Sequence, residues 1–215
     1  MKFKKERAKS IFRVYLELSK LNILSLVLVS TFLGYYLGNN GIGELSRVIY
    51  TLLGTSLTAA GSGALNHYLE RNSDSLMERT KNRPLPAGLI SPLNVIIFGV
   101  IMIIGGSLLL VFKINLLTGF LSLLTAFLYV VVYTPLKRIT WLNTSVGSVP
   151  GAMPIIGGWT AATGEIGTMA WILFALMYLW QHPHFYSIAW MCKEDYAAAS
   201  FKMLPVIESD GSRTM

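Results

Sequence analysis

A chain of 215 residues with 53% hydrophobic and only 13% charged side chains is neither disordered nor an ordinary soluble domain. Its net charge of +7 does not signal nucleic acid, because seven of the basic residues precede Leu21, where a membrane flank carries them. The single cysteine, Cys192, excludes an internal disulfide.

In chain order, residues 1–20 form a basic N-terminal segment and 21–215 read as one transmembrane domain. Six uncharged apolar runs of membrane-crossing length are expected, at 21–40, 48–69, 89–112, 114–136, 139–163 and 166–192. The expected fold class is therefore all-α, a polytopic transmembrane helical bundle. The first run is too long for a signal-peptide core and no small-x-small cleavage site follows it, so a cleaved signal is not expected. In the first run Gly34 and Gly38, and in the fifth Gly147 and Gly151, have the spacing that permits close helix contact. The fifth also contains Pro150, Pro154, Gly157 and Gly158, which predicts a kinked or partly unwound helix covered by its neighbours.

Six spans leave seven flanks on alternating sides. One side carries Lys2, Lys4, Lys5, Arg7, Lys9, Arg13 and Lys20, then Arg71, Arg79, Lys81 and Arg83, then Lys137 and Arg138, then Lys193, Lys202 and Arg213. The other carries only Arg47 and Lys113. A split of 16 against 2 among the 18 cations places the first side in the cytoplasm.

The second flank is the most chemically loaded. Asn66, Glu70 and Asp74 are spaced i, i+4, i+8, which puts three oxygen-bearing side chains on one helix face along about 12 Å. Carboxylate and carboxamide oxygens are hard donors suited to Mg²⁺ that also grips substrate phosphates. Arg79, Lys81 and Arg83 follow at once as candidate phosphate ligands. A second acidic pair, Glu194 and Asp195, falls on the same side of the membrane, and a bundle can bring both sets over one cavity. The alternative is solvated loop charge balanced by nearby cations.

Several blocks, in order, carry a resemblance. They are Asn66-x-x-x-Glu70-x-x-x-Asp74, Arg79-Thr-Lys-Asn-Arg83-Pro-Leu-Pro-Ala-Gly88, Tyr133-Thr-Pro-Leu-Lys-Arg138 and Thr140-Trp-Leu-Asn-Thr144. Pro150-Gly-Ala-Met-Pro154, Gln181-x-Pro-His-Phe185, Ala189-Trp190, Glu194-Asp-Tyr196 and Met203-Leu-Pro205 complete the set. Together they resemble the protoheme IX farnesyltransferase (haem O synthase) branch of the UbiA superfamily of intramembrane prenyltransferases. The resemblance implies transfer of a farnesyl group from farnesyl diphosphate to a vinyl group of haem B, giving haem O for haem A and terminal oxidases. It implies Mg²⁺ as cofactor, held by Asn66, Glu70, Asp74, Glu194 and Asp195, with Asn66, Glu70, Asp74 and Asp195 catalytic. Arg79, Lys81, Arg83, Lys137 and Arg138 would bind the diphosphate.

The implied partners are farnesyl diphosphate, haem B and the lipid bilayer, with haem A synthase a candidate protein partner and no nucleic acid. The implied location is the bacterial cytoplasmic (inner) membrane. Family members usually run through nine spans, so the chain would hold the first six. Departures are Glu70 where Asp is usual, Ser200 where Gly is usual, and Leu21-Asn22 in place of a Lys-Pro-Arg-like opening.

His182 and His184, separated by Pro183, do not share a helix face, so a paired chelate is not expected. His184, in the family-like block, is a candidate haem contact or a hydrogen-bonded structural histidine. His67 is expected at the membrane interface. The tryptophans 141, 159, 171, 180 and 190 read mainly as interfacial anchors. Rival readings are a UbiA-type quinone or lipid prenyltransferase and a transporter. The nearly uncharged spans, with polar groups at one mouth, disfavour transport.

Overall fold

The computed structural model describes residues 10–208 and 210. Lys2, Lys4, Lys5, Arg7, Lys9 and Arg213 of the charge map lie outside the described residues. The described residues are helical, without strands. The order is α1 (Ile11–Leu18), α2 (Leu21–Gly38), α3 (Leu45–Asp74), α4 (Pro92–Lys113) and α5 (Leu116–Phe127). A π-helical turn over Leu128–Tyr133 then joins α5 to α6 (Thr134–Leu136). After these come α7 (Asn143–Thr163), α8 (Thr168–Met191), α9 (Lys193–Ala198) and α10 (Leu204–Ile207).

Six long helical segments thus coincide with the six expected runs. Four of them, Leu21–Gly38, Leu45–Asp74, Pro92–Lys113 and Leu116–Leu136, are long and apolar enough to cross a membrane. The helices α7 and α8 are long enough but less apolar: one is rich in Gly, Pro, Ser and Thr, the other contains Gln181-His-Pro-His184. Local sequence sets the helix starts. The hydroxyl of Ser91 accepts the Asn94 N–H at 3.2 Å with Pro92 in the first turn, and Asn115 accepts the Thr118 N–H at 2.7 Å.

Two glycine-lined crossings hold the bundle. Gly54 and Gly61 on α3 meet Gly106 and Gly99 on the antiparallel α4, so a methyl group on Gly61 would lie 2.5 Å from the Gly99 carbonyl oxygen. Gly34 and Gly38 on α2 lie against Ile155 and Trp159 on α7, and Gly158 returns the contact against Thr31. Backbones that close leave no room for any side chain. Gly147 faces the Tyr133 ring and Gly151 the Gln181 carboxamide, so all four singled-out glycines mark contacts.

The partial unwinding expected in the fifth run is not observed. The helix α7 continues unbroken through Pro150 and Pro154. Its neighbours clamp it: Gln181 Nε2, from α8, donates to the Ser148 carbonyl at 3.2 Å. The irregularity lies one span earlier, in the π turn. There Val130, Val131 and Val132 are poor helix formers, and Pro135 has no N–H to give the Val131 carbonyl. The wider turn re-pairs the backbone, with Thr134 donating from both its N–H and its hydroxyl to the Tyr129 carbonyl.

Short elements organise one end of the bundle. Val14 and Leu18 of α1 bury against Ala64, Leu85, Ile90 and Val95, docking α1 on the end of α3. Met77 packs with Ala189, Ala199, Phe201 and Met203, which ties the loop after α3 to the segment after α8. Ser200 ends α9 in the left-handed region at φ 56°, its N–H bonded to Ala197 O and the Phe201 N–H to Tyr196 O. That is the glycine position of a Schellman cap, which accounts for the usual Gly there.

Candidate active site

The last two turns of α3 carry Asn66, Glu70 and Asp74 on one face, and all three are buried. Each meets a cation from a different part of the chain. Lys20, between α1 and α2, donates to Asn66 Oδ1. Lys137, just after α6, donates to Glu70 Oε1 at 2.6 Å. One guanidinium nitrogen of Arg83 stands 2.8 and 2.9 Å from the two Asp74 oxygens. The Asn66 amide also donates to Thr134 Oγ1 at 2.9 Å, which couples α3 to the π turn.

Burial of carboxylates on this scale requires such pairing, since an unpaired buried charge is strongly unfavourable. Burial pulls the Lys137 ammonium toward neutrality, but the Glu70 carboxylate together with Tyr133 and Tyr129 holds the group above the usual lysine range. At Lys20 burial wins over the attraction of Glu70 and brings the ammonium down to about 7.

Asp195, in the first turn of α9, comes to the same mouth. Its Oδ1 accepts the Glu78 N–H at 3.0 Å and its Oδ2 lies 3.9 Å from Arg79 Nε. The two acidic regions therefore converge at one end of the bundle. Glu194 is exposed, and neither Glu194, Asp195 nor the fully buried Asn66 lines the cavity beneath the mouth.

Below this mouth lies a cavity of about 460 Å³. Its charged end is formed by Lys20, Glu70, Asp74, Arg79, Arg83 and Lys137, and its body by side chains such as Leu24, Val27, Leu110, Leu121, Met153 and Phe185. An apolar chamber with a few convergent polar groups is the form of a small-molecule site. Of the five expected diphosphate ligands, Arg79, Arg83 and Lys137 line it. Lys81 instead pairs with Glu78 at 2.6 Å, and Arg138 donates to the Ser73 hydroxyl. The sequence marks Lys20 only as a membrane flank, Tyr129 by no motif, and Tyr133 and Gln181 only as members of family-like blocks with no role attached; all four line the cavity.

His184 lines the cavity, its ring stacked on Trp180 with centroids 4.8 Å apart. His182 has a structural place, with Nδ1 2.9 Å from the Tyr178 carbonyl and Nε2 3.1 Å from Ser145 Oγ. His67 is not interfacial: it is buried, 3.9 Å from an Asp74 oxygen, with neither ring nitrogen hydrogen-bonded.

Among the described residues no group of three His, Cys, Asp or Glu side chains forms a ready-made metal cluster. The donor set is of another kind. Two carboxylates that line a cationic cavity, with one carboxamide buried beside them on the same helix face, suit an ion that takes its remaining ligands from phosphate and water. The buried oxygens of Glu70 and Asp74 already hold positive charge.

The profile of the UbiA prenyltransferase family matches residues 27–214. The chain is 45% identical over 207 residues to the protoheme IX farnesyltransferase of Solibacter usitatus, covering 92% of this chain and 71% of that protein. It is 48% identical over 200 residues to that of Salinibacter ruber, covering 93% and 71%. Among solved structures, a UbiA homologue from Archaeoglobus fulgidus bound to DMAPP and Mg²⁺ superposes with a TM-score of 0.75 at 19% identity, over 93% of this chain and 70% of that one. A digeranylgeranylglyceryl phosphate synthase gives 0.77 at 18% identity, over 94% and 70%.

Proposed function

The chain belongs to the UbiA prenyltransferase family, and from that premise we propose that it transfers a farnesyl group from farnesyl diphosphate to a vinyl group of haem B, giving haem O. The observation that carries this reading is a cavity that joins an apolar body to a mouth of carboxylates and cations. A prenyl diphosphate has the same two parts.

The residues divide the work by chemistry. Asn66, Glu70 and Asp74 on one side and Asp195 on the other would hold Mg²⁺. When bound, that ion supplies charge neutralisation to the leaving diphosphate. Arg79, Arg83 and Lys137 take the negative charge that gathers on diphosphate oxygen as the bond to farnesyl C1 breaks. The electron pair leaves with the diphosphate. The vinyl π electrons then form the new carbon–carbon bond to C1. Water adds to the resulting cation, loses a proton and leaves the hydroxyethylfarnesyl group. Apolar walls keep other water from the allylic cation before the vinyl group reaches it. His184 would contact the haem, a reading supported by its position on the cavity wall beside Trp180.

The chain is an integral membrane protein. The 16-to-2 split of Lys and Arg supports a cytoplasmic mouth in a bacterial inner membrane. Haem A synthase, as the consumer of haem O, belongs to the same proposal. The test supplies membranes bearing this chain with haem B, farnesyl diphosphate and Mg²⁺, and analyses extracted pigments by mass. Haem O is expected. Farnesylation of a quinone or lipid with haem B unchanged would overturn the acceptor.

A further inference from the structure

Gln181 stands on the cavity wall, apart from the cations and carboxylates of the mouth. It is 4% exposed, and its carboxamide is held in one orientation. Nε2 donates to the Ser148 carbonyl at 3.2 Å and to the Met177 carbonyl at 3.0 Å, so the nitrogen cannot exchange places with the oxygen. Oε1 is left against Gly151, which also lines the cavity; a methyl group on Gly151 would fall on that oxygen. Among the described residues no donor reaches Oε1, although a buried carbonyl without a partner is unfavourable. Its depth is set by α7. That helix begins at the mouth, where the Asn143 amide donates to the Lys202 carbonyl. Gly147 packs on the Tyr133 ring, next to Thr134, which meets Asn66. Gly151 and the Gln181 oxygen lie one turn, about 6 Å, further in. A prenyl diphosphate seated with its anion at the mouth would bring C1, and the vinyl group that attacks it, to this depth.

We propose that Gln181 is a positioning residue for the water that quenches the cation, which it holds through Oε1 at the cavity wall. The inference rests on the farnesyl-to-haem reading and names the group that controls its last step. As the bond from farnesyl C1 to oxygen breaks, the vinyl π electrons form the new bond to C1. Positive charge then rests on the other vinyl carbon, beside the porphyrin ring. The water donates one hydrogen to Oε1, which turns an oxygen lone pair toward that carbon. The lone pair forms the carbon–oxygen bond, and the second proton passes to the freed diphosphate, whose oxygens gain basicity when they lose the carbon. A neutral carboxamide suits the task because it accepts from water, whereas a carboxylate would trap the cation as an ester. Tyr133, which also lines the cavity with its ring against Gly147, offers a hydroxyl as second partner for the water. Without a held water the same cation loses a proton from C1 to the diphosphate and closes to a conjugated alkene.

The test supplies membranes bearing the full chain with haem B, farnesyl diphosphate and Mg²⁺ in water enriched in heavy oxygen, and resolves the extracted pigments by mass. The parent should give the hydroxylated pigment carrying the heavy oxygen. Gln181→Met keeps the length of the side chain and removes the carbonyl. It should raise the ratio of dehydrated pigment, lighter by one water, to hydroxylated pigment by about 10-fold or more. Gly151→Ala, whose methyl displaces Oε1, should move the ratio the same way. The ratio does not depend on how much protein accumulates, so a variant that folds poorly still reports. A merely structural role predicts fewer turnovers at an unchanged ratio. That outcome, or loss of both pigments from well-accumulated variants, would overturn the assignment and leave farnesyl transfer standing. Hydroxylated pigment without the heavy oxygen would exclude water as the quenching group and overturn it too. Absence of any farnesylated pigment from the parent would overturn the transfer reading as well.

Discussion

Lys137 closes a contact with Glu70 across 67 positions of the chain, its ammonium 2.6 Å from the carboxylate and both groups largely buried. The pair ties the end of the fourth span to the end of the second, so it is at once a fastening between helices and part of the cavity mouth. Removing one member leaves the other charged and unpaired. Lys137→Met should destabilise the protein by roughly 3–5 kcal/mol, and the double variant Lys137→Met with Glu70→Gln by clearly less. Thermal unfolding of the purified variants in detergent measures the difference. Additive losses would show that the pair does not act as one unit.

Asp74 is fully buried and accepts from Arg83. Asp74→Ala should lower haem O formation by about 100-fold or more, the size attached to loss of one electrostatic stabiliser. The amount of protein in the membrane should persist. Pigment mass analysis beside an immunoblot checks both, and near-normal turnover would remove Asp74 from the site.

Neighbouring acids on α9 should behave differently. Asp195→Asn weakens the hold on the Glu78 N–H and on Arg79, so turnover should fall severalfold or more. Glu194→Gln, at an exposed position off the cavity, should leave turnover within a factor of two or so. Steady-state rates of the two variants, compared side by side, decide the matter.

The α3–α4 crossing gives a stability contrast between two glycines. A methyl group on Gly61 meets the Gly99 carbonyl and the Ile103 backbone, and the helices must part to admit it. Gly61→Ala should cost about 1–3 kcal/mol. Nothing lies within 4 Å of the same position on Gly105, where alanine should be neutral or stabilise by up to about 1 kcal/mol. Melting temperatures in a common detergent provide the readout.

Ser200 offers a change in the favourable direction. A serine at φ 56° in the Schellman cap of α9 carries a steric cost that glycine lacks. Ser200→Gly should therefore raise stability by about 1 kcal/mol. A lower melting temperature would contradict the cap assignment.

The parts of the fold that are periodic and local were legible in the sequence. Uncharged runs located the six long helices, and the i, i+4, i+8 spacing placed Asn66, Glu70 and Asp74 on one face because a helix keeps that register whatever surrounds it. The partners were less legible, since side-chain destination depends on packing. Lys20 sits among other N-terminal cations and becomes a cavity residue only because α1 folds back on α3. Lys81 and Arg138 have the same chemistry as Arg83 and Lys137, yet turn to Glu78 and Ser73. The prolines of α7 leave its helix unbroken for a related reason: neighbouring helices pack along that backbone. The actual irregularity followed from three valines and a proline in the preceding span. The seven-residue glycine spacing of the α3–α4 crossing went unread beside the shorter motif.

The carboxylate of Asp195 that accepts the Glu78 N–H also dates the mouth. Arg83 emerges from the ribosome only nine residues after Asp74 and can neutralise it at once, whereas Asp195 follows Glu78 by 117 residues. A nascent chain halted before α9 would already shield its acidic turn yet leave the rim unlatched. The Asp195 contacts with Glu78 and Arg79 can thus form only after α8 has been made.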